Sequence, residues 1–185
     1  YVKVLGKKHY VFFIMDVVKK IITSYSIFAN RDGISAIKAI YSALSKFRKI
    51  PENLLLVFDG NPIYILAQHF FAQYNIHFDV KQVIGLTNKD EVSKEYRWLK
   101  QIIERLNRTF KGVYRGKNGF NSFDRANEFM VLFASFFNFL RRHSALEYRV
   151  PVHIPQVMDM PDMPSKWLKL LKLSYEHIED LQEPS

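Results

Sequence analysis

Cysteine is absent from the 185 residues, which excludes a disulfide framework and every cysteine-based zinc site. Histidines are few. His69, His77, His143, His153 and His177 fall in no spacing that pairs them as metal ligands, and a lone histidine is more often structural. No glycine-rich, phosphate-cradling motif follows a strand pattern. The longest apolar run, Phe129 to Leu140, is 12 residues and contains Ser135 and Asn138, so it is too short for a bilayer and reads as a buried helix. Internal repeats and low-complexity tracts are also missing. With no sign of secretion and no span, the expectation is a cytoplasmic protein without a membrane partner. The chain opens on Tyr1, inside the alternating pattern of Val2 and Val4, where no signal peptide is readable. It is expected to be a fragment whose natural start lies elsewhere.

What is present is a core and an excess of positive charge. Hydrophobic residues make up 48% of the chain and aromatics 15%, enough for one domain with a real interior. The formal charge is +9, but residues 156–185 hold six acids against three lysines, which leaves the preceding 155 residues at +12. A basic body with a mildly acidic tail suits a polyanionic partner.

Hydrophobic periodicity sets an order of elements. Tyr1 to Leu5 alternates as a strand, Gly6-Lys7-Lys8 turns it, and His9 to Asp16 forms a second strand of aromatic and β-branched residues. Ile21 to Ala29 makes a third. Beyond the Asn30-Arg31-Asp32-Gly33 turn, Ile37, Ile40, Tyr41, Leu44 and Phe47 share one face of a helix over 34–47. Leu54 to Phe58 is a continuous apolar run, the pattern of a strand covered on both faces, with Asp59 at its C-terminal end. A helix over 63–73 and a short strand within 76–84 follow. Gly112 to Gly119 reads as a mobile loop exposing Tyr114, Arg115 and Lys117, with Tyr114 the one aromatic placed to stack on a base. Ser122 caps a phenylalanine-rich helix over 123–142. Five prolines fall among residues 151–185, four of them ahead of a short helix from Ser165 to about Glu179.

The most informative segment is the helix that ends at Lys111. Leu99, Ile102, Ile103, Leu106 and Phe110 make its apolar face. On another face Arg97, Lys100, Glu104, Arg108 and Lys111 recur at three- and four-residue steps, a single carboxylate inside a ladder of cations. Exposed helix pairs account for the carboxylate, each contributing a few tenths of a kcal/mol. They do not account for the excess: Lys94 to Lys117 carries eight Lys or Arg against Glu95 and Glu104. A one-signed patch suits repeated phosphate contacts. Asp59, before Gly60, has a bland reading as a turn residue bonding backbone amides. Strand ends of open α/β sheets are also where chemistry gathers.

Three antiparallel strands, a helix, a buried strand ending in Asp, a helix, a short strand and a helix bearing Glu follow the order of ribonuclease H-like nucleases. Within that order Ile103-Glu104-Arg105-Leu106-Asn107-Arg108-Thr109-Phe110-Lys111 resembles the glutamate motif of bacterial DDE-type insertion-sequence transposases with an integrase core. Asp59-Gly60-Asn61-Pro62-Ile63-Tyr64, Gly119-Phe120-Asn121-Ser122-Phe123, Asn138-Phe139-Leu140-Arg141-Arg142-His143-Ser144-Ala145-Leu146 and Pro151 are similar to that family's segments in the same order.

The resemblance implies an α/β fold with a mixed five-stranded, ribonuclease H-like sheet flanked by helices. It places a catalytic core over 1–150, its first strand incomplete, and a mostly irregular or helical tail with one short helix over 151–185. It also implies Mg²⁺- or Mn²⁺-dependent cleavage and strand transfer of DNA in a prokaryotic cytoplasm, with two ions in the intact enzyme and a homo-oligomer assembled on DNA. Asp59 and Glu104 take the second and third acidic positions, as catalytic residues and metal ligands. Lys100, Arg105, Arg108, Lys111, Arg115 and Lys117 are the expected phosphate contacts. The family's first aspartate is expected just ahead of Tyr1, outside this chain, and Asp16 is a weak substitute. Glu95 and then Glu91 are rivals to Glu104, because Glu95 lies nearer the family's usual interval from Asp59; the segment 88–101 is then added helix or loop. Arg142 stands where members often have Pro. Two other readings stay open: a non-catalytic DNA-binding remnant, and a nuclease of the same fold.

Overall fold

The computed structural model describes residues 1–84 and 91–182. They form a mixed α/β protein. The chain divides into two compact units, Tyr1–Val131 and Leu132–Ser185. The composition changes later, at residue 150, where the boundary was expected.

Strands β1 (Val2–Val4), β2 (Lys7–Asp16) and β3 (Ile21–Phe28) make an antiparallel meander, with Val2 opposite His9 and Tyr10 opposite Phe28. The first turn is tighter than the expected Gly6-Lys7-Lys8. Leu5 and Gly6 both have positive φ, 50° and 74°, the mirror-image turn whose twist matches that of the flanking strands. The second turn is held by Asp16, whose Oδ1 accepts from the Val18 and Lys19 amides at 2.9 Å.

Helix α1 (Gly33–Leu44) is capped by Asp32, whose Oδ1 accepts from the Ser35 amide at 2.8 Å. It is followed by β4 (Leu55–Asp59), α2 (Ile63–Ala72) and β5 (Asp79–Val83). β4 and β5 pair in parallel, Leu55 with Asp79 through Asp59 with Val83. All five expected strands exist, but among the described residues they hydrogen-bond as one sheet of three and one of two. β1 is three residues long and reaches only Lys7 to His9 of β2, so among the described residues that edge of β2 is unpaired beyond His9.

β2 is packed on both faces, which is why it is hydrophobic almost throughout. On one face Phe12, with Tyr10 and Ile14, joins Ile40, Leu44, Tyr64 and Phe71 of α1 and α2. On the other, Phe13 meets Phe110 edge-on at 5.2 Å. Phe110 belongs to α3 (Glu91–Tyr114), 24 residues long, which precedes a 3₁₀ turn at Arg115–Lys117 and α4 (Phe123–Ser135). The part of the expected 88–101 segment from Glu91 onward is helix; residues 88–90 lie outside the described residues.

The expected loop from Gly112 is a correction. α3 continues through Gly112 because Tyr114 stacks on Phe110, centroids 6.0 Å apart, and also meets Phe120 and Phe129. The Tyr114 hydroxyl accepts the Lys3 amide at 2.7 Å, so Tyr114 is a structural residue and not a base-stacking platform. These contacts outweigh the cost of about 1 kcal/mol for a helical glycine. The chain then reverses through Asn118 and Gly119, φ 53° and 121°, and Phe120 bonds the free edge of β1, to Lys3 and Leu5, at 2.9 and 2.8 Å. Ser122 caps α4, accepting from the Arg125 amide at 3.2 Å.

In the second unit, α4 gives way to one π turn, Phe136–Leu140, closed by the Arg141 amide on the Phe136 carbonyl at 2.7 Å. Buried His143 sits edge-on to Phe137 at 4.5 Å with Nε2 3.2 Å from the Phe137 carbonyl, a structural role. α5 (Pro155–Met158) and α6 (Met163–Gln182) follow, α6 longer at both ends than expected. Their core is Leu140, Val157 and Leu170, with Trp167 and Leu173 against it. Among the described residues no helix is long and apolar enough to cross a membrane.

Two glycines should respond oppositely to the same change. Gly119→Ala would place a Cβ 3.1 Å from Lys3 Cβ and 3.3 Å from its carbonyl oxygen at positive φ. It should destabilise the protein by about 1–3 kcal/mol. Gly112→Ala meets nothing within 4 Å inside a helix and should stabilise by about 0.5–1 kcal/mol. Urea denaturation of the two variants checks both signs.

Candidate functional site

Both open strand edges face one cavity. Among the described residues, β2 beyond His9 is paired only with β3, and β4 only with β5. Between them lies a groove of about 450 Å³, lined by Tyr10 to Met15 and Leu55 to Asp59. Consecutive residues line it, odd and even alike, as a strand's edge does and its face does not. α3 supplies another wall through Leu99, Lys100, Ile103, Glu104, Asn107 and Lys111, residues at helical steps.

Asp59 stands at the C-terminal end of β4, where the chain turns away. Its Oδ1 accepts from the Asn61 amide at 3.2 Å, and the Asn61 side chain in turn accepts from the Ile63 amide, so the turn expected at Asp59-Gly60 is present. The other oxygen is taken. Oδ2 is paired with Arg31 Nη2 at 2.5 Å, the guanidinium coming from the turn before α1. Burial lowers the Arg31 pKa, but hydrogen bonds to Tyr64 and Asp59 outweigh it, and the guanidinium ends above its ordinary value. Burial, helped by the Asp59 charge, raises the Tyr64 phenol against the pull of Arg31. Arg31 and Tyr64 both line the groove beside Asp59.

Glu104 projects into the same groove from α3, 45 positions after Asp59. It makes no ion pair among the described residues and has Lys100 and Lys111 as groove neighbours. Glu95 and Glu91 do not line the groove; Glu95 bonds its neighbour Tyr96. Asp16 is engaged in its own turn, and its side chain is outside the groove lining.

The expected phosphate contacts separate into groups. Lys100 and Lys111 line the groove, and Arg108 follows Glu104 by one helical turn on the same flank. Arg105, one residue from Glu104, projects about 100° round the helix. Arg115 and Lys117 are exposed on the 3₁₀ turn.

Arg31 and Asn107 are site residues that periodicity did not single out. Arg31 lies in a turn, 28 positions from Asp59, with nothing local to mark it. Asn107 had a readable signal, since it follows Glu104 by three positions on the groove face.

As a test of fit for Mg²⁺, Asp59, Glu104 and the Asn107 amide offer hard oxygen donors, and Mg²⁺ takes few protein ligands and keeps water. The carboxylate set is nevertheless short. Among the described residues no three acids or histidines come together, and Arg31 competes for Asp59. The residues fit a partial site.

Neither carboxylate carries much folding energy. The Arg31–Asp59 pair is more than a third exposed on both sides, so Asp59→Asn should cost less than about 1 kcal/mol. Glu104→Gln should change stability by no more than about 0.5 kcal/mol. Thermal and urea unfolding of the two variants measures this, and a loss of several kcal/mol would make the groove acids structural. No protein family, curated protein or solved structure matches this chain.

Proposed function

We propose that this chain is part of a DDE-type DNA transposase core, with a ribonuclease H-like fold, that binds DNA through α3 and the turn after it and is catalytically incomplete as it stands. The observation that carries the reading is the convergence of Asp59 and Glu104 on one groove that also holds Lys100 and Lys111. Two carboxylates among cations suit a metal and a phosphodiester together better than either alone. When bound, Mg²⁺ supplies Lewis-acid stabilisation of the attacking and leaving oxygens in an in-line displacement. Asp59 and Glu104 would hold it. Lys100, Arg105, Arg108, Lys111, Arg115 and Lys117 would hold phosphates, which positions DNA without reading its sequence.

The open edges support the same reading. An extended strand antiparallel to β2 and parallel to β4 would join the two sheets into one of five strands or more. Continued ahead of Tyr1 in the register of Val2 with His9, such a strand would pass Val11 to Met15 and bring a further carboxylate towards Asp59. A second reading, a DNA-binding remnant without catalysis, is favoured by the ion pair that ties Asp59 to Arg31. A prokaryotic cytoplasm and assembly as an oligomer on DNA belong to the first reading.

Salt tests the DNA contact. With about six cations on phosphates, log affinity should fall with log salt at a slope near −5, and each Lys or Arg removed should reduce the slope by about one, with little change in sequence preference. Salt-insensitive binding would return those cations to a solvated face.

Activity tests the chemistry. Given a labelled DNA end and Mg²⁺ or Mn²⁺, the 185 residues should bind but neither nick nor join it. Extending the chain ahead of Tyr1 with an Asp-bearing strand should restore cleavage and joining, and Asp59→Asn or Glu104→Gln should then abolish both without weakening binding. Cleavage without joining would favour a nuclease, and binding that never gains activity would favour the remnant. Metal-dependent cleavage that survives Glu104→Gln would mean the site is elsewhere.

A further inference from the structure

The hairpin of β1 and β2 sets like charge against like. Lys3 and Lys8 stand directly opposite one another in its register, and Lys7 is opposite Val4. A cross-strand pair of like charge weakens a sheet. The chain has no acid before Asp16 to relieve it, and among the described residues none of these three lysines makes an ion pair. Lysine often guards an open strand edge against pairing with another chain. That role is already filled for β1, whose outer edge bonds Phe120 through the Lys3 carbonyl and the Leu5 amide.

Both lysines are presented with their charge intact. Lys8 Nζ lies 4.7 Å from the centre of the Tyr1 ring and 4.8 Å from that of Tyr10. Two aromatic faces hold an ammonium in place but, unlike a carboxylate, leave its charge whole. Val2 and Val4 are buried, so alternation turns Lys3 to the exposed face of β1, beside Lys8. Each lysine also adjoins cations of α3 or of the turn after it. Tyr1 and Tyr10, which hold Lys8, line the groove together with Lys111. Burial, and after it the charges of Lys111 and Lys8, lower the Tyr1 amino group below its ordinary value. Lys3 lies against the chain reversal at Asn118 and Gly119: a Cβ at Gly119 would stand 3.1 Å from that of Lys3, two positions after Lys117. The hairpin therefore bridges Lys111 in the groove and the cations of the 3₁₀ turn.

We infer that Lys3 and Lys8 are phosphate contacts for DNA, carrying the track of cations from Lys111 across the hairpin to Arg115 and Lys117. The inference rests on the DNA-binding reading above and adds a second element to it. A phosphodiester chain is a row of like charges that can follow such a track from one element to the next. A membrane surface would need apolar side chains to insert among the lysines. The hairpin offers Leu5 at its tip, while the ring faces of Tyr1 and Tyr10 are occupied by Lys8.

Fluorescence anisotropy of a labelled duplex with the 185-residue chain, in salt from about 50 to 200 mM, tests the contact. Lys3→Gln with Lys8→Gln should reduce the slope of log affinity against log salt by about two, so that the loss relative to the unaltered chain is about tenfold greater at the low end of that range than at the high end. Lys3→Arg with Lys8→Arg should keep the slope. Lys46→Gln with Lys49→Gln, which follow the C-terminal end of α1, removes as much charge and should leave the slope unchanged. If the Lys8 change lowers the melting temperature, Lys3→Gln alone should still reduce the slope by about one. A slope untouched by the Lys3 and Lys8 changes, or reduced as much by those at Lys46 and Lys49, would overturn the hairpin contact and leave the DNA reading standing. Absence of salt-dependent DNA binding by the unaltered chain would overturn both. Lys3 and Lys8 changes that release the chain from phosphatidylglycerol vesicles but not from DNA would assign the hairpin to a membrane surface instead.

Discussion

The burial of β2 on both faces is the constraint from which the rest of the first unit follows. A strand whose successive residues are Tyr10, Val11, Phe12, Phe13 and Ile14 carries apolar side chains on both faces, and helices on each side take up part of that surface, Phe12 being buried and its neighbours half-buried. α1 and α2 take the side of Phe12, and α3 takes the side of Phe13 through Phe110. Once Phe110 is anchored, the helical repeat dictates where every other residue of α3 points, and Glu104, Asn107 and Lys111 are turned to the groove. The position of the candidate site is thus a consequence of hydrophobic packing several residues away from it.

The same packing brings charge together at a cost that the groove meets by pairing. Asp59 is satisfied by Arg31 and by the Asn61 amide, while Glu104 is left among cations on an open wall. The two acids therefore differ in kind. One is held in a hydrogen-bonded turn, and the other makes no ion pair among the described residues. Any cation that joins them must displace or share Arg31, so occupancy of the groove is a competition between a fixed guanidinium and an incoming ion.

A different balance governs the second unit. Its π turn and the 3₁₀ turn at Ser144–Leu146 carry polar backbone close to an aromatic cluster, and part of it is satisfied by His143 Nε2 at the Phe137 carbonyl and by the Val152 amide donating to the Asn138 carbonyl at 2.9 Å. The core there is small. α6 spends one side on it and keeps a second apolar stripe outside, which is why the unit's unmet hydrophobic demand is concentrated on a single helix.

The sequence by itself determined which elements form and in what order, because alternation and three-to-four-residue spacing are local properties written in the residue types. It put Asp59 at a strand end and Glu104 on a cationic helix face, since each placement needs only neighbours within a few positions. Its errors lie where a distant contact overrides local preference: Gly112 suggested a loop, but the Tyr114 hydroxyl on the Lys3 amide, 111 positions away, holds the helix. Tertiary structure alone decided that Arg31 meets Asp59, that Asp59 and Glu104 line one groove, and that the strands pair as three and two. Those outcomes depend on which surfaces cover which, and residues 28 or 45 positions apart carry no local trace of that choice.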